Sequence, residues 1–146
     1  MAGILKVDDL RGNTSAGDIT ITSEGGSATM QLQQGVAKAW IRYNGTSLTS
    51  GSDLTGVGDS LNYASAVDNG TGSYSFNFTN NMSSANWSAS ALGKHDNNST
   101  NNADNRQSIL IYSITTSSFT NLASETSAAT LNDSALGHNQ VFGDLA

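Results

Sequence analysis

Between Asp59 and Leu92 the chain reads DSLNYASAVDNGTGSYSFNFTNNMSSANWSASAL, and two runs of strict alternation within it leave few folds open. Leu61, Tyr63, Ser65 and Val67 share one side of the first run, and Tyr74, Phe76 and Phe78 share one side of the second. Successive side chains on a strand point to opposite faces, so each set predicts one half-buried face. Asp68, Asn69, Gly70, Thr71 and Gly72 separate the runs, and Asn and Gly accept positive φ at low cost, as a tight reversal requires. Asn80 and Asn81 signal a further loop, after which Trp87, Ala89 and Ala91 resume the alternation. The stretch predicts a β-meander with its aromatic rings on the inner face.

The flanking segments extend the same pattern. Residues 37–43 predict a strand with Ile41 and Tyr43 on one face and Lys38, Trp40 and Arg42 on the other, the second suited to a rim or an intersubunit contact. Asn44, Gly45 and Thr46 form a turn, and residues 46–59 a Gly/Ser/Thr loop. Residues 93–107, GKHDNNSTNNADNRQ, are almost wholly polar and predict a long exposed loop, a kind that in compact domains tends to carry function. Ser108 to Thr116 is the most apolar run, with Ile109, Leu110, Ile111, Tyr112 and Ile114. It reads as a strand buried on both faces, either central in its sheet or covered by another chain, with Phe119 and Leu122 continuing it. Residues 123–137 show no clear period, and residues 139–143 predict a closing strand. Strands at this spacing predict an all-β fold, an antiparallel β-sandwich with a jelly-roll-like meander over residues 37–146.

Residues 1–36 read differently, as an extended N-terminal arm. Ile4, Leu5 and Val7 form a short extended piece. Ile19 and Ile21 alternate with threonines, and Met30 and Leu32 alternate in a segment open to either helix or strand before Gly35. Pieces this short bury too little apolar area to stand alone, so the arm is expected to order against a partner subunit or sibling chains.

Ser, Thr and Asn make up 53 of the 146 residues, while charged residues are only 12%, against roughly 25% in ordinary domains. A surface of hydroxyls and amides suits a long-lived β-assembly. With a net charge of −6 and only six Lys and Arg, spread along the chain, there is no basic patch for a phosphate backbone, and nucleic acid is not an expected partner. No cysteine is present, so disulfides and thiolate metal sites are excluded. No apolar run reaches the ~20 residues a membrane-spanning helix needs, and the first residues lack the apolar core of a signal peptide; membrane insertion is not expected.

Chemistry-bearing patterns are sparse. His95 stands beside Asp96 and serines abound, but adjacent residues do not orient one another in a triad, and no nucleophile-elbow pattern surrounds any serine. An exposed loop histidine is the plainer account, and no catalytic residue is assigned: the protein is expected not to be an enzyme. Asp96, Asn97 and Asn98 through Asp104 offer oxygen ligands suited to calcium, without the spacing of a known calcium loop, so a solvated loop is preferred and no metal or cofactor is expected. His95, Asp96, Asn97, Asn98, Asn101, Asn102 and Asp104 remain as a candidate surface-recognition loop. Trp40, Trp87 and Tyr112 suit core, rim, subunit contact or sugar stacking.

Two passages resemble a known family. LKVDDLRGNTSAGDITITSEGGSATMQLQQGVAKAW is similar to the start of small virion-appendage proteins of marine tailed phages, particularly those of cyanobacteria. DSLNYASAVDNGTGSYSFNFTNNMSSANW resembles an antiparallel β-module of phage tail-fibre proteins, and the closing Phe142, Gly143, Asp144, Leu145 and Ala146 are similar too. The resemblance spans most of the chain and is weakest over residues 93–135. It implies a non-enzymatic virion component, a fibre, spike or capsid decoration, generally homotrimeric and assembled in the host cytoplasm. Residues 1–36, with Ile4, Leu5, Val7, Ile19, Ile21, Met30 and Leu32, would then attach to capsid, portal, neck or tail proteins or drive oligomerisation. The β-domain would reach a host glycan or receptor. At 146 residues the chain has no room for a long shaft, which favours a short fibre or capsid-attached knob. The competing expectation is a carbohydrate- or receptor-binding module whose main role is host adsorption, using residues 93–107 and 46–58.

Overall fold

The computed structural model describes residues 6–13, 19–22, 25–95, 106–125 and 130–146. The chain divides into two compact units, Met1–Val36 and Ala37–Ala146. In the first, β1 (Thr20–Thr22) and β2 (Thr29–Gln31) form an antiparallel pair, and a single helical turn, α1 (Leu32–Gly35), follows β2 directly. The segment around Met30 and Leu32 is thus strand first and helix second.

Among its described residues the second unit holds eight strands: β3 (Ala39–Tyr43), β4 (Val57–Leu61), β5 (Tyr63–Gly70), β6 (Ser73–Phe78), β7 (Ser88–Lys94), β8 (Arg106–Tyr112), β9 (Ser118–Glu125) and β10 (Leu136–Phe142). They form one antiparallel sheet in the order β4-β3-β10-β7-β8-β9-β6-β5. The all-β antiparallel architecture expected from the alternation is the one present. The sheet curls into a flattened barrel with two four-stranded layers, β4-β3-β10-β7 and β8-β9-β6-β5. Only two residue pairs, Gly93 with Gln107 and Lys94 with Arg106, join β7 to β8 along one side. Along the other side Asn62 alone links β4 to β5, and its positive φ of 63° makes the corner.

Rings from the two layers meet in the middle. Tyr43 of β3 lies 5.5 Å from Tyr74 and 5.0 Å from Phe76 of β6, although four strands lie between β3 and β6 in the sheet order. Phe119 stacks on Phe76 at 5.2 Å and meets Trp87 edge-on at 5.4 Å. Each such pair adds roughly 0.5–1.5 kcal/mol beyond simple burial. Ile41, Val141, Ala66, Ala123 and Met82 fill the gaps between rings. The edge of β5 is covered as well: Asp68 N donates to Thr49 O and Ala66 N to Asp53 O, so the 48–54 loop occupies hydrogen-bonding positions that otherwise invite edge-to-edge association.

Four sequence expectations are corrected or sharpened. First, Leu61, Tyr63, Ser65 and Val67 do not share one face. Leu61 belongs to β4 and is exposed, and a register slip between Tyr63 and Ser65 turns Ala66 inward opposite Phe76. A bulge adds one residue to one strand and so inverts the period beyond it. Second, the β5–β6 reversal takes its positive φ within residues 68–72 as expected, and does so at Gly70 and Gly72. Third, Ser108–Thr116 is not buried on both faces of the single chain: β8 is central, yet Leu110 is 60% exposed and only Gln107, Ile109 and Ile111 turn inward. Fourth, Phe119 and Leu122 do not continue that strand. Ser113 takes φ 51°, and Thr115 Oγ1 accepts from Ser117 N and Ser118 N, reversing the chain into β9.

Candidate functional site

The strand directions sort the connections into two groups. Tyr43, Val57, Gly70, Ser73, Lys94, Arg106, Glu125 and Leu136 all lie at one end of the sandwich, as their pairings require. The β3–β4, β5–β6, β7–β8 and β9–β10 connections therefore leave from this end. At the opposite end lie Ala37, where the unit begins, the Asn62 corner, the 79–87 and 113–117 connections and the C-terminal residues. There Lys38 N donates to Val141 O, Ala146 N to Asn81 O and Ser83 N to Asp144 O.

The loop end is built on a fixed polar floor. Tyr74 lies in the core with its hydroxyl at the loop end, donating to Asp133 Oδ1 at 3.0 Å and accepting from Ser134 N at 2.9 Å. Asp133 Oδ1 also accepts from Gly72 N at 2.7 Å. Gln107 Nε2 donates to Asn132 O at 2.9 Å while its carbonyl accepts from Ser134 Oγ, which is fully buried. Residues 132–135 thereby become a strut. Gly45 N donates to Ser134 O at 2.6 Å and Ala135 N to His95 O at 3.2 Å, so the strut joins the 44–56 loop directly to the start of the β7–β8 connection. Gly45 is required here, because a Cβ would fall 2.4 Å from the Tyr74 hydroxyl. In the 44–56 loop, Asn44 Oδ1 accepts from Thr46 N at the head of a short 3-10 turn (Gly45–Ser47), and Asp53 Oδ1 accepts from Thr55 N.

The electrostatics of this end are those of a scaffold. Burial pushes the Tyr43 phenol up to about 12, and its buried hydroxyl has no hydrogen-bond partner among the described residues. Burial likewise raises Tyr74 and Tyr63 far above the usual phenol range, so all three stay protonated at neutral pH. Behind them Asn121 Nδ2 donates to Asn139 Oδ1 at 2.8 Å in the core. Among the described residues no cluster of three His, Asp or Glu side chains is arranged to hold a metal ion, and no serine hydroxyl bonds to His138.

Of the candidate recognition residues, His95 is half-buried at the loop end. Asp96, Asn97, Asn98, Asn101, Asn102 and Asp104 lie outside the described residues. The two loops that the sequence offered as one contact surface, around 46–58 and 93–107, start from the same end, and the 132–135 strut between them is what sequence reading missed. Its only signal was an Asn-Asp-Ser triplet in a stretch without period.

Of the arm residues, Ile4 and Leu5 lie outside the described residues, and Val7 is exposed. Ile21 pairs directly with Met30, and Leu32 N donates to Ile19 O at 2.8 Å, which extends the ladder by one. Opposed residues share a face and the period is two, so Ile19, Ile21, Met30 and Leu32 form one small apolar face. Ile21 and Met30 are 43% and 51% exposed on it.

No family model matches this chain, and no curated protein or solved structure is significantly similar to it.

Proposed function

We propose that the protein is a structural component of a bacteriophage virion, a short tail fibre or spike or a capsid-attached fibre or decoration, assembled as a homotrimer and without enzymatic activity. Residues 1–36 attach it to other virion proteins, and the loop end of the sandwich meets the host surface. The observation that supports this reading best is the polarity of the sandwich: the chain enters at one end, and the four strand connections with the braced floor gather at the other. A domain tethered at one end and read at the other has this layout. Two further features favour a symmetric assembly. The hairpin of the first unit leaves its apolar face in solvent, and the central strand β8 of the sandwich carries outward Leu110 and Tyr112, which sibling chains would cover.

Mass spectrometry of gradient-purified particles of the phage encoding this chain tests the reading. It predicts the protein in the particles in a copy number divisible by three; absence from particles at full expression contradicts it. A second reading, a carbohydrate- or receptor-binding module with adsorption as its main role, is favoured by the gathering of loops at one end. It predicts that added protein blocks phage adsorption to cells, whereas a purely structural component leaves adsorption unchanged.

A further inference from the structure

The two outer faces of the sandwich differ in chemistry. On β5, β6 and β9 outward hydroxyls and amides bond one another, Asn69 Nδ2 to Ser75 Oγ at 2.7 Å and Ser75 with Thr120 at 3.2 Å. On β3, β4 and β10 the outward positions instead hold Trp40, Arg42, Asp59, His138 and Gln140, which line a concavity of about 310 Å³, with Leu61, Phe142 and, on β7, Leu92 exposed around it. The register sets their spacing. Asp59, Arg42 and His138 sit opposite one another in one row across three strands, and Trp40 and Gln140 are opposed two residues along. Opposed Cβ atoms lie about 5 Å apart and rows on one face about 7 Å, so the five side chains converge on a patch the size of a single sugar ring.

Arg42 decides what that patch can take. A Cβ on Gly58 would come 2.6 Å from Arg42 Nη1, so the glycine makes room for the guanidinium against the β4 backbone. Asp59, directly opposite, turns its carboxylate to Ser60 N at 2.8 Å, and Arg42 forms no ion pair among the described residues. An exposed guanidinium, without a carboxylate partner among the described residues, therefore stands beside a partly exposed indole. Guanidinium planes take carboxylates with two parallel hydrogen bonds. An indole face takes the C–H face of a pyranose, and the in-plane donors and acceptors of Gln140, His138 and Asp59 suit ring hydroxyls. We propose that this concavity binds a carboxylated sugar, a uronic-acid residue of an acidic polysaccharide.

Other occupants fit less well. Interface cores between protein chains are depleted of charged residues, and three of these five side chains are ionisable. A nucleic-acid backbone needs several cations, and the net charge is −6. The proposal rests on the host-contact part of the function proposed above and does not require the trimer.

Calorimetric titration of the full-length protein with oligogalacturonate, beside a neutral maltooligosaccharide of equal length, tests it. Tryptophan emission supplies a second readout, since Trp87 is buried and Trp40 is the indole a ligand can reach. Oligogalacturonate is expected to bind and alter the emission, and the neutral sugar to bind at least about tenfold more weakly. Trp40→Ala abolishes binding, Arg42→Gln weakens it by about tenfold or more, and Gly58→Ala, which displaces the guanidinium, weakens it too. Leu110→Ala, on the other layer, leaves it unchanged. Equal affinity for both sugars, binding that survives Trp40→Ala, or no binding by a folded protein at millimolar sugar each overturns the site. A trimer that binds no sugar overturns this site and leaves the virion reading standing; a monomer that binds oligogalacturonate does the reverse.

Discussion

The N-terminal hairpin and the sandwich are written in the same period-two alternation and end in opposite conditions. In the hairpin, Ile21 and Met30 face each other across two strands and remain in solvent. In the sandwich, Tyr74, Phe76 and Phe78 alternate in the same way and all three are buried, because the layer holding β3 and β10 closes over them. Alternation specifies which face of a strand is apolar. Whether that face becomes a core depends on a second layer, which three-residue strands do not supply. The hairpin therefore has an unmet demand for apolar contact, and the sandwich has met its own on the inside.

Deleting a central ring should separate the two regions most sharply. Phe76 is fully buried between Tyr43, Tyr63 and Phe119, and Phe76→Ala should cost about 3–5 kcal/mol, visible as a collapse of the urea midpoint. A loss below about 1 kcal/mol would mean that the layers do not close as described.

Alkaline pH probes the same core. The Tyr43 phenol sits at about 12 in the folded protein against the ordinary 10.0, so the unfolded chain releases its proton first. The stabilisation from keeping this phenol neutral is whole below pH 10 and is lost as pH rises through about 12. Two units correspond to on the order of 3 kcal/mol for this group. Unfolding titrations should show stability falling across this window, and Tyr43→Phe should make the fall shallower, the buried Tyr63 and Tyr74 supplying the remainder.

Packing at the loop end gives a smaller effect. Gly137→Ala puts a methyl 2.2 Å from Tyr43 Cζ and should cost about 1–3 kcal/mol. Asp133→Ala strips Tyr74 and Gly72 of their shared acceptor and should cost a comparable 1–3 kcal/mol or so, with the loop end loosened while the far end keeps its hydrogen-exchange protection.

Smallest of all should be the effect of the hairpin on the sandwich. Ile21→Ser with Met30→Ser should move the sandwich's melting transition by less than about 0.5 kcal/mol. The same pair should weaken self-association, which sedimentation reads directly.

The comparison also marks how far the sequence could be read. The β6 alternation and the glycine turn before it were legible because period and turn chemistry are local. The slip after Tyr63 was not, since a bulge answers to the partner strand and leaves no local mark. Nor was the separation of β8 from β9: Ile109 to Ile114 looks like a strand buried on both faces because composition does not say which neighbour covers Leu110. The two candidate loops were visible as polar stretches, but their departure from one end follows from strand order. The 132–135 strut depends on Tyr74, nearly sixty residues earlier, and no spacing rule announces it. The concavity at Trp40 needs β10 beside β3, a pairing across about a hundred residues. Trp40 beside Arg42 was readable; Asp59, His138 and Gln140 around them were not.

The central claim is that the hairpin's uncovered apolar face and the outward Leu110 and Tyr112 of β8 serve a threefold assembly. Light scattering behind a sizing column, on the full-length protein and on a version lacking residues 1–35, tests it most directly. The account predicts a full-length mass of three times 15.1 kDa, about 45 kDa. A trimer that persists without residues 1–35 assigns the contact to the sandwich, and one that is lost assigns it to the hairpin. A full-length protein that stays at 15.1 kDa at micromolar concentration would contradict the account.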